Sequence, residues 1–281
     1  MTTKDLIIDE NQIAQYQRDG AICIRQAVDE SWIDRMINHL DSHFDKGGHP
    51  QTAKYAELAW SDRYLYKKHN WMRDFIFQSG IAGIAGQLME SSTASVYFDH
   101  IFIRGGGTKE VTPWHQDRPY WPFLGKQIAS VWVAFSASDE NSSAMSFIQG
   151  SHQWDKVYKP QAFSKDDVNA AWMKGAAGDA MPDFWTDNDG LTLLSWDTQP
   201  GDVIVFGGDV IHAAGMNHAP TGRRIAVSTR FVGDNAVWDP RPGTDPIITQ
   251  ADVSIKPGDI AITDSHAFPM AWSRPLENNG A

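Results

Sequence analysis

Histidine followed two residues later by a carboxylate is the smallest pattern in this chain that could hold a metal ion. It occurs three times, as His39/Asp41, His43/Asp45 and His115/Asp117. With ten histidines in 281 residues, about one such match is expected by chance at average acidic usage. Local structure must therefore separate the three. The first two pairs fall in a segment with helical patterning. Side chains two apart on a helix diverge by about 200° and cannot share an ion. His39 and His43 do share a face, but no third ligand lies near them in sequence. The third pair sits in TPWHQDRPYWP, directly after a strand-like run. Residues i and i+2 of an extended chain point the same way, so His115 and Asp117 converge while Gln116 faces away. A third ligand has to come from another strand. His212 is the best candidate, because it follows PGDVIVFGGDV, a turn, a buried strand and a glycine pair. His218, His100 and His152 are alternatives, and a lone histidine at position 212, taken by itself, reads more readily as a hydrogen-bonded core residue. Two histidines and one carboxylate with open positions form the facial triad of non-haem Fe(II) oxygenases. Such a site leaves room for a chelating 2-oxo acid and for dioxygen, which a closed four-ligand site does not.

A 2-oxo acid cosubstrate has a distal carboxylate, and the arginine fork bonds both of its oxygens. GRRIAVSTRFV supplies Arg223 and Arg224 at the start of a strand after His212. Alternation lets only one of them point inward. Arg223 shares its face with Ile225, Val227 and Phe231, whereas Arg224 shares its face with Ala226, Ser228 and Arg230. Assigning the apolar set to the inside places Arg223 inward and Arg224 at the surface or in strand pairing.

These side chains need a scaffold. DENQIAQYQRDG reads as a helix closed by Gly20, and AICIRQAV as a short strand. Asp29 caps a second helix, whose Trp32, Ile33, Met36, Ile37 and Leu40 fall at amphipathic spacing. Residues 46–69 are polar and irregular. A further helical stretch runs from Trp71 to Met89 with a break near Gly80. From Ser92 the pattern changes to short runs of β-branched and aromatic residues: ASVYFDHIFI, IASVWVAFSA, AMSFIQG, LTLLSW, DVIVFGG and RIAVSTRFV. Many strands without intervening helices predict a sandwich or barrel. The expected organisation is a single domain over 1–281, with a mostly helical part over 1–91, a β core over 92–237 and a Pro- and Gly-rich surface tail over 238–281. Residues 152–190 interrupt the core as a long polar insertion, read as a lid or as a peripheral excursion.

Composition narrows the classes. The 24 basic and 35 acidic residues give a formal net charge of −11. That balance disfavours phosphate backbones, so no nucleic-acid partner is expected, though it leaves room for a local cationic pocket. One cysteine, Cys23, excludes disulfides within the chain and cysteine-only metal sites. No run approaches the roughly 20 apolar residues of a membrane span, and the polar start does not read as a signal peptide. The expectation is a cytoplasmic protein without a membrane partner.

The linked motifs TPWHQDRPYWP, VWVAFSASDENSSAMSFIQGSH and PGDVIVFGGDVIHAAGMN, followed by the arginine pair, resemble the phytanoyl-CoA dioxygenase (PhyH) family over roughly residues 10–240. The resemblance implies a mainly β, double-stranded β-helix (jelly-roll, cupin-like) core with flanking helices. It implies Fe(II), with 2-oxoglutarate and dioxygen as cosubstrates. His115, Asp117 and His212 match the metal ligands of the family, Arg223 the arginine for the far carboxylate, Trp132 an aromatic packed near the cosubstrate, and Asn217 a motif asparagine. Many relatives carry Ser two residues after the distal histidine; here that residue is Ala214, and Thr112 is a candidate to replace its hydroxyl. Halogenating relatives replace the carboxylate ligand by a small residue. Asp117 is present, so hydroxylation of an unactivated C–H bond, with release of succinate and carbon dioxide, is the expected reaction.

On the substrate side, Arg118, Tyr120 and Trp121 follow the metal motif. Arg118 faces either the pocket or the surface, and Trp121 shares the parity of the ligands if the chain stays extended past Pro119. Arg104 and Lys109 flank the glycines at 105–107, and Arg230 is a further inward or outward candidate. Trp172 and Trp185 of the insertion could close over a substrate and exclude water. The acidic composition favours a small-molecule metabolite. A zinc-type hydrolase or isomerase on the same triad, a binding module that has lost turnover, and an oxygenase performing desaturation or ring formation are the rival readings.

Overall fold

A computed structural model of the protein describes residues 6–43, 59–163 and 171–275. Its strands, in chain order, are β1 (Ala21–Ile24), β2 (Ala59–Arg63), β3 (Thr93–Gly105), β4 (Thr112–His115), β5 (Phe123–Leu124), β6 (Ile128–Ala134), β7 (Met145–Ile148), β8 (Leu193–Ser195), β9 (Val203–Gly207), β10 (His212–Ala214), β11 (Arg223–Val232), β12 (Val237–Trp238) and β13 (Met270–Ser273). The larger sheet has the order β1-β9-β6-β11-β3-β13, with β2 also beside β3, and the smaller has the order β4-β10-β7-β8. From β3 onward the chain passes back and forth: β3, β6, β9 and β11 lie in the large sheet, and β4, β7, β8 and β10 in the small one. This is the double-stranded β-helix expected from the sequence.

The two faces of the large sheet do different work. Ile101, Val131, Val133, Val203, Val205, Ile225 and Val227 face outward. They pack under the helices Glu30–His43, Asn70–Gln78 and Ile81–Leu88, whose Trp32, Met36, Phe75 and Ile84 complete the largest apolar cluster. The inward face contributes Trp132, Ala134, Ile204, Phe206 and Ala226, which meet Met145, Phe147 and Ala214 of the small sheet. The helices follow their sequence signals. Glu10–Asp19 begins with a capping box of Asp9 and Gln12 and ends on Gly20 at φ 81°, a left-handed cap that glycine adopts without strain. Gly80, at φ 89°, separates Asn70–Gln78 from Ile81–Leu88.

Two expectations about the chain's organisation need correction. Residues 59–69, expected to be irregular, form β2 and the short helix Leu65–Lys68; residues 46–58 lie outside the described residues. The tail does more than wrap the surface. Its Ile248, Ile255, Ala261 and Phe268 are buried with Trp238, Tyr97, Trp121 and Phe123 in a second cluster, and β13 extends the large sheet beside β3. The anchors are widely spaced among Pro and Gly, so no periodicity announces them. The described parts of the insertion include two short 3-10 turns, Ser151–Gln153 and Ala171–Met173. Gln116 pins its start, donating to the carbonyls of Lys156 and Asp209 and accepting from the Tyr158 amide.

Candidate active site

β4 and β10 are neighbours, and His212 lies directly opposite His115 in their register. Both rings therefore project from the same face of the small sheet into the space between the sheets. After His115 the chain leaves the strand. Asp117 has helical angles (φ −74°, ψ −43°) and opens the turn Arg118–Tyr120. That turn, in place of the extended conformation expected from the sequence, brings the carboxylate to the two rings. One ligand atom from each of His115, Asp117 and His212 lies within 4.8 Å of the others, and all three residues are buried. Asp117 Oδ1 is 3.5 Å from His115 Nε2 and 4.0 Å from His212 Nε2.

Neighbouring groups aim these atoms. His115 Nδ1 contacts the Pro113 carbonyl at 2.9 Å and His212 Nδ1 contacts the Val210 carbonyl at 3.0 Å. A carbonyl accepts only, so each Nδ1 carries a proton and Nε2 is the nitrogen turned to the centre. Ser130 Oγ donates to Asp117 Oδ2 at 3.0 Å, which leaves Oδ1 for the centre. Burial would raise the Asp117 pKa, but His115, His212 and Arg230 hold it well below the usual carboxylate range. Burial and the neighbouring His115 push His212 down to about 3. A carboxylate oxygen and two imidazole nitrogens on one face suit a single divalent ion of the iron type.

The triad opens into a cavity of about 710 Å³ between the sheets. Strand register sets its walls. On β11, Arg224, Ala226, Ser228 and Arg230 face inward, opposite Arg104, Phe102, His100 and Phe98 of β3. Arg224, and not Arg223, is thus the inward arginine. Arg223 lies on the outer face and pairs with Asp41 of the helix Glu30–His43 at 2.6 Å. The sequence reading failed because the apolar side of β11 is the side covered by helices, while the inside of the barrel is the site. The same contact removes Asp41 from the His39/Asp41 pair, and His39 stacks on Trp71 at 5.5 Å. The His43/Asp45 pair lies outside the described side chains.

Arg224 and Arg104 form a buried cationic end. Arg224 lies 5.5 Å from the Trp132 ring and donates to the Ser143 carbonyl and hydroxyl. Arg104 donates to the hydroxyls of Ser143 and Thr112, each at 2.6 Å, and to the Gly215 carbonyl. Burial and the adjacent Arg104 push the Arg224 pKa well below its ordinary value, and burial lowers Arg104 to about 10 against the opposing pull of Glu110. Thr112 and Trp132 line this part of the cavity. Asn217 does not. Its side chain donates to the Arg104 carbonyl and accepts from the Ala219 amide, so it shapes the turn behind the wall. Ala214 is buried in the inner apolar cluster, and Ser143, which the sequence reading missed, supplies a hydroxyl to both arginines.

Tyr120, Trp121 and Trp172 line the cavity, together with Phe163 and Met173 of the insertion. Phe163 was invisible to motif reasoning, yet its ring lies 4.8 Å from that of His115 and 5.3 Å from that of Tyr120. Arg118 and Trp185 stand elsewhere. Arg118 turns out of the cavity to pair with Asp209, because the turn at Asp117 reverses the strand's alternation. Trp185 is 44% exposed and packs on Trp114. Of the alternative third ligands, His100 is on the cavity wall, while His152 contacts the Gln17 carbonyl and stands outside the triad.

A jelly roll with two histidines and an aspartate at one end of an inner cavity defines the class of mononuclear metal proteins built on a facial triad. The profile of the phytanoyl-CoA dioxygenase (PhyH) family matches residues 16–225. The chain belongs to that family. Solved structures with the same fold include the non-haem α-ketoglutarate-dependent carbocyclase SnoK from nogalamycin biosynthesis, at 20% identity and TM-score 0.69 over 94% of this chain and 96% of that one. The epimerase SnoN, in complex with Fe3+, α-ketoglutarate and nogalamycin RO, has 17% identity and TM-score 0.66 over 94% and 98%. EctD from S. alaskensis, with 2-oxoglutarate and 5-hydroxyectoine, has 14% identity and TM-score 0.67 over 90% and 86%. No curated protein sequence matches this one. Among the described residues no helix is long and apolar enough to cross a membrane.

Proposed function

We propose that this chain is an Fe(II)- and 2-oxoglutarate-dependent dioxygenase that hydroxylates an unactivated C–H bond of a small-molecule substrate. The observation that carries the reading is the pairing, in one cavity, of the His115–Asp117–His212 triad with the buried Arg224–Arg104 end. Trp132 Nε1 and Arg224 Nε are buried there with no hydrogen-bond partner among the described residues. Buried donors are normally satisfied, and a dicarboxylate between the arginine end and the triad would satisfy them.

His115, Asp117 and His212 would hold the iron, and Arg224, backed by Arg104, would take the far carboxylate of 2-oxoglutarate. When bound, iron with 2-oxoglutarate supplies the oxidising power of dioxygen. In balance, R–H, O2 and 2-oxoglutarate give R–OH, succinate and carbon dioxide. The protein's own share is placement and shielding. Ser130 keeps Asp117 Oδ1 turned to the centre. Tyr120, Phe163 and Trp172 line one side of the cavity with aromatic rings.

SnoK and SnoN bear the names carbocyclase and epimerase, so the outcome of C–H oxidation needs its own test. Metabolites are screened by succinate release with the Fe(II)-loaded protein, and the product of each hit is weighed. Hydroxylation predicts a product with one added oxygen atom. Loss of two hydrogens, or an isomer of unchanged mass, would replace it by ring formation or desaturation, or by epimerisation. Turnover that proceeds without 2-oxoglutarate on a zinc-loaded protein would remove the oxygenase reading altogether.

A further inference from the structure

The cavity holds a third buried arginine, Arg230, that the cosubstrate does not need. Arg224 and Arg230 share the inward face of β11, six positions apart. At roughly 3.4 Å per residue their Cα atoms lie about 20 Å from each other. Arg224 is level with Arg104, whereas Arg230 is level with Phe98 on β3 and Ser130 on β6. Ser130 is the residue that donates to Asp117. Arg230 therefore stands beside the triad, and Arg224 at the far end.

The surroundings of Arg230 are those of a receptor for an anion. It is 6% exposed, and its guanidinium lies 4.7 Å from the Phe98 ring and 5.9 Å from those of Phe102 and Trp121. Nη1 donates to the Ser228 carbonyl at 2.9 Å. Nε has no partner among the described residues, and neither has the hydroxyl of Ser228. Among the described residues its one hydrogen bond goes to a backbone carbonyl and not to a carboxylate. Asp117 and Asp99 attract it through space, but the acids around it spend their hydrogen bonds elsewhere. Asp117 is held by Ser130 and faces the histidines, Asp99 accepts the amides of Leu65 and Tyr66, and Asp245 pairs with Arg63. An unpaired buried guanidinium is costly, and stacking on aromatic rings offsets only part of that cost.

We propose that Arg230, with Ser228, binds a carboxylate on the substrate. The substrate class is then a small organic acid whose aromatic or alicyclic body lies against Phe98, Tyr120, Trp121 and Phe163, with its carboxylate anchored beside the triad. This rests on the oxygenase reading and adds the chemical class of the substrate to it. Arg230 is a specificity-determining residue here; Arg224 serves the cosubstrate.

The test uses two matched pairs of probes, phenylacetate with phenylacetamide and cyclohexylacetate with cyclohexylacetamide. Each is titrated anaerobically into the protein loaded with Fe(II) and 2-oxoglutarate, and binding is read by tryptophan fluorescence. The acids should bind at least about tenfold more tightly than their amides, the usual scale for a charge-assisted hydrogen bond. Arg230→Gln should abolish that ratio while leaving 2-oxoglutarate affinity unchanged, and Arg230→Lys should restore part of it. Equal binding of acid and amide by the wild type overturns the proposal. So does an Arg230→Gln variant that loses metal or 2-oxoglutarate affinity but keeps the acid-to-amide ratio, because Arg230 then serves only as a counter-charge to Asp117. If the wild type takes up no 2-oxoglutarate, the oxygenase reading fails separately. The same acid and amide titrations on the Zn(II)-loaded protein then decide the role of Arg230 alone.

Discussion

At the scale of single residues, two adjacent arginines show what a sequence can and cannot say. That one of Arg223 and Arg224 had to point inward followed from strand alternation. Which one did not, because the inside of this barrel is lined by Arg224, Ser228 and Arg230, while Ile225 and Val227 face the helices. The metal ligands were legible because His115, Asp117 and His212 are chemically distinctive and tied to strand ends. Ser143 and Phe163 were not, since a lone serine or phenylalanine in a loop has no signature until the chain folds. The triad also sets a pH response of the metal-free protein. His212 is pushed down to about 3, against about 6.5 when unfolded. Between those values the unfolded chain binds a proton that the native state refuses. Stability is therefore lost as pH falls through that window. Asp99, raised by burial to about 6, works in the opposite sense below that value. It is common to wild type and variant and cancels between them. The thermal midpoint of the apoprotein should therefore fall less on acidification from pH ~7 to ~4.5 in His212→Gln than in wild type. Identical falls would show that His212 is not held neutral by burial.

At the scale of elements, the strands and helices with strong periodicity were readable, and the short or irregular ones were not. Gly20 and Gly80 announced the helix ends they make. β4 and β10 have only four and three residues, too few for alternation to register, yet they carry both histidines. The tail was misjudged because its packing is tertiary. Trp272 of β13 lies on the helix Ile81–Leu88, where Gly83 and Gly86 leave room for its ring. A methyl group at position 86 would overlap that ring. Gly86→Ala should destabilise the protein by about 1–3 kcal/mol, the usual cost of overpacking, despite alanine's better helix propensity. Denaturant unfolding checks this; a neutral or stabilising effect would mean that Trp272 is free to move away.

At the scale of the whole molecule, the jelly roll separates two tasks. The outer face of the large sheet is apolar and sealed by helices, and that burial supplies the bulk of the core. The inner face can then carry Arg104, Arg224 and Arg230, opposite the triad on the small sheet and the turn after β4, groups that are expensive to bury and that serve a cavity. The net charge of −11 coexists with this cationic interior because the sum over the chain says nothing about one pocket. Insertion and tail both reach that pocket, through Phe163 and Trp172 on one side and Pro246 and Ile247 on the other. The central claim is that the triad and Arg224 together hold Fe(II) and 2-oxoglutarate. Anaerobic titration of the apoprotein with both, followed by visible absorption, tests it most directly. A charge-transfer band should form in wild type and vanish in His115→Ala. Arg224→Ala should weaken 2-oxoglutarate binding roughly 10–100-fold, whereas Arg223→Ala should leave it unchanged and cost at most about 1 kcal/mol of stability. Tight Fe(II) binding without a band, or a band that depends on Arg223 and not on Arg224, would contradict the account.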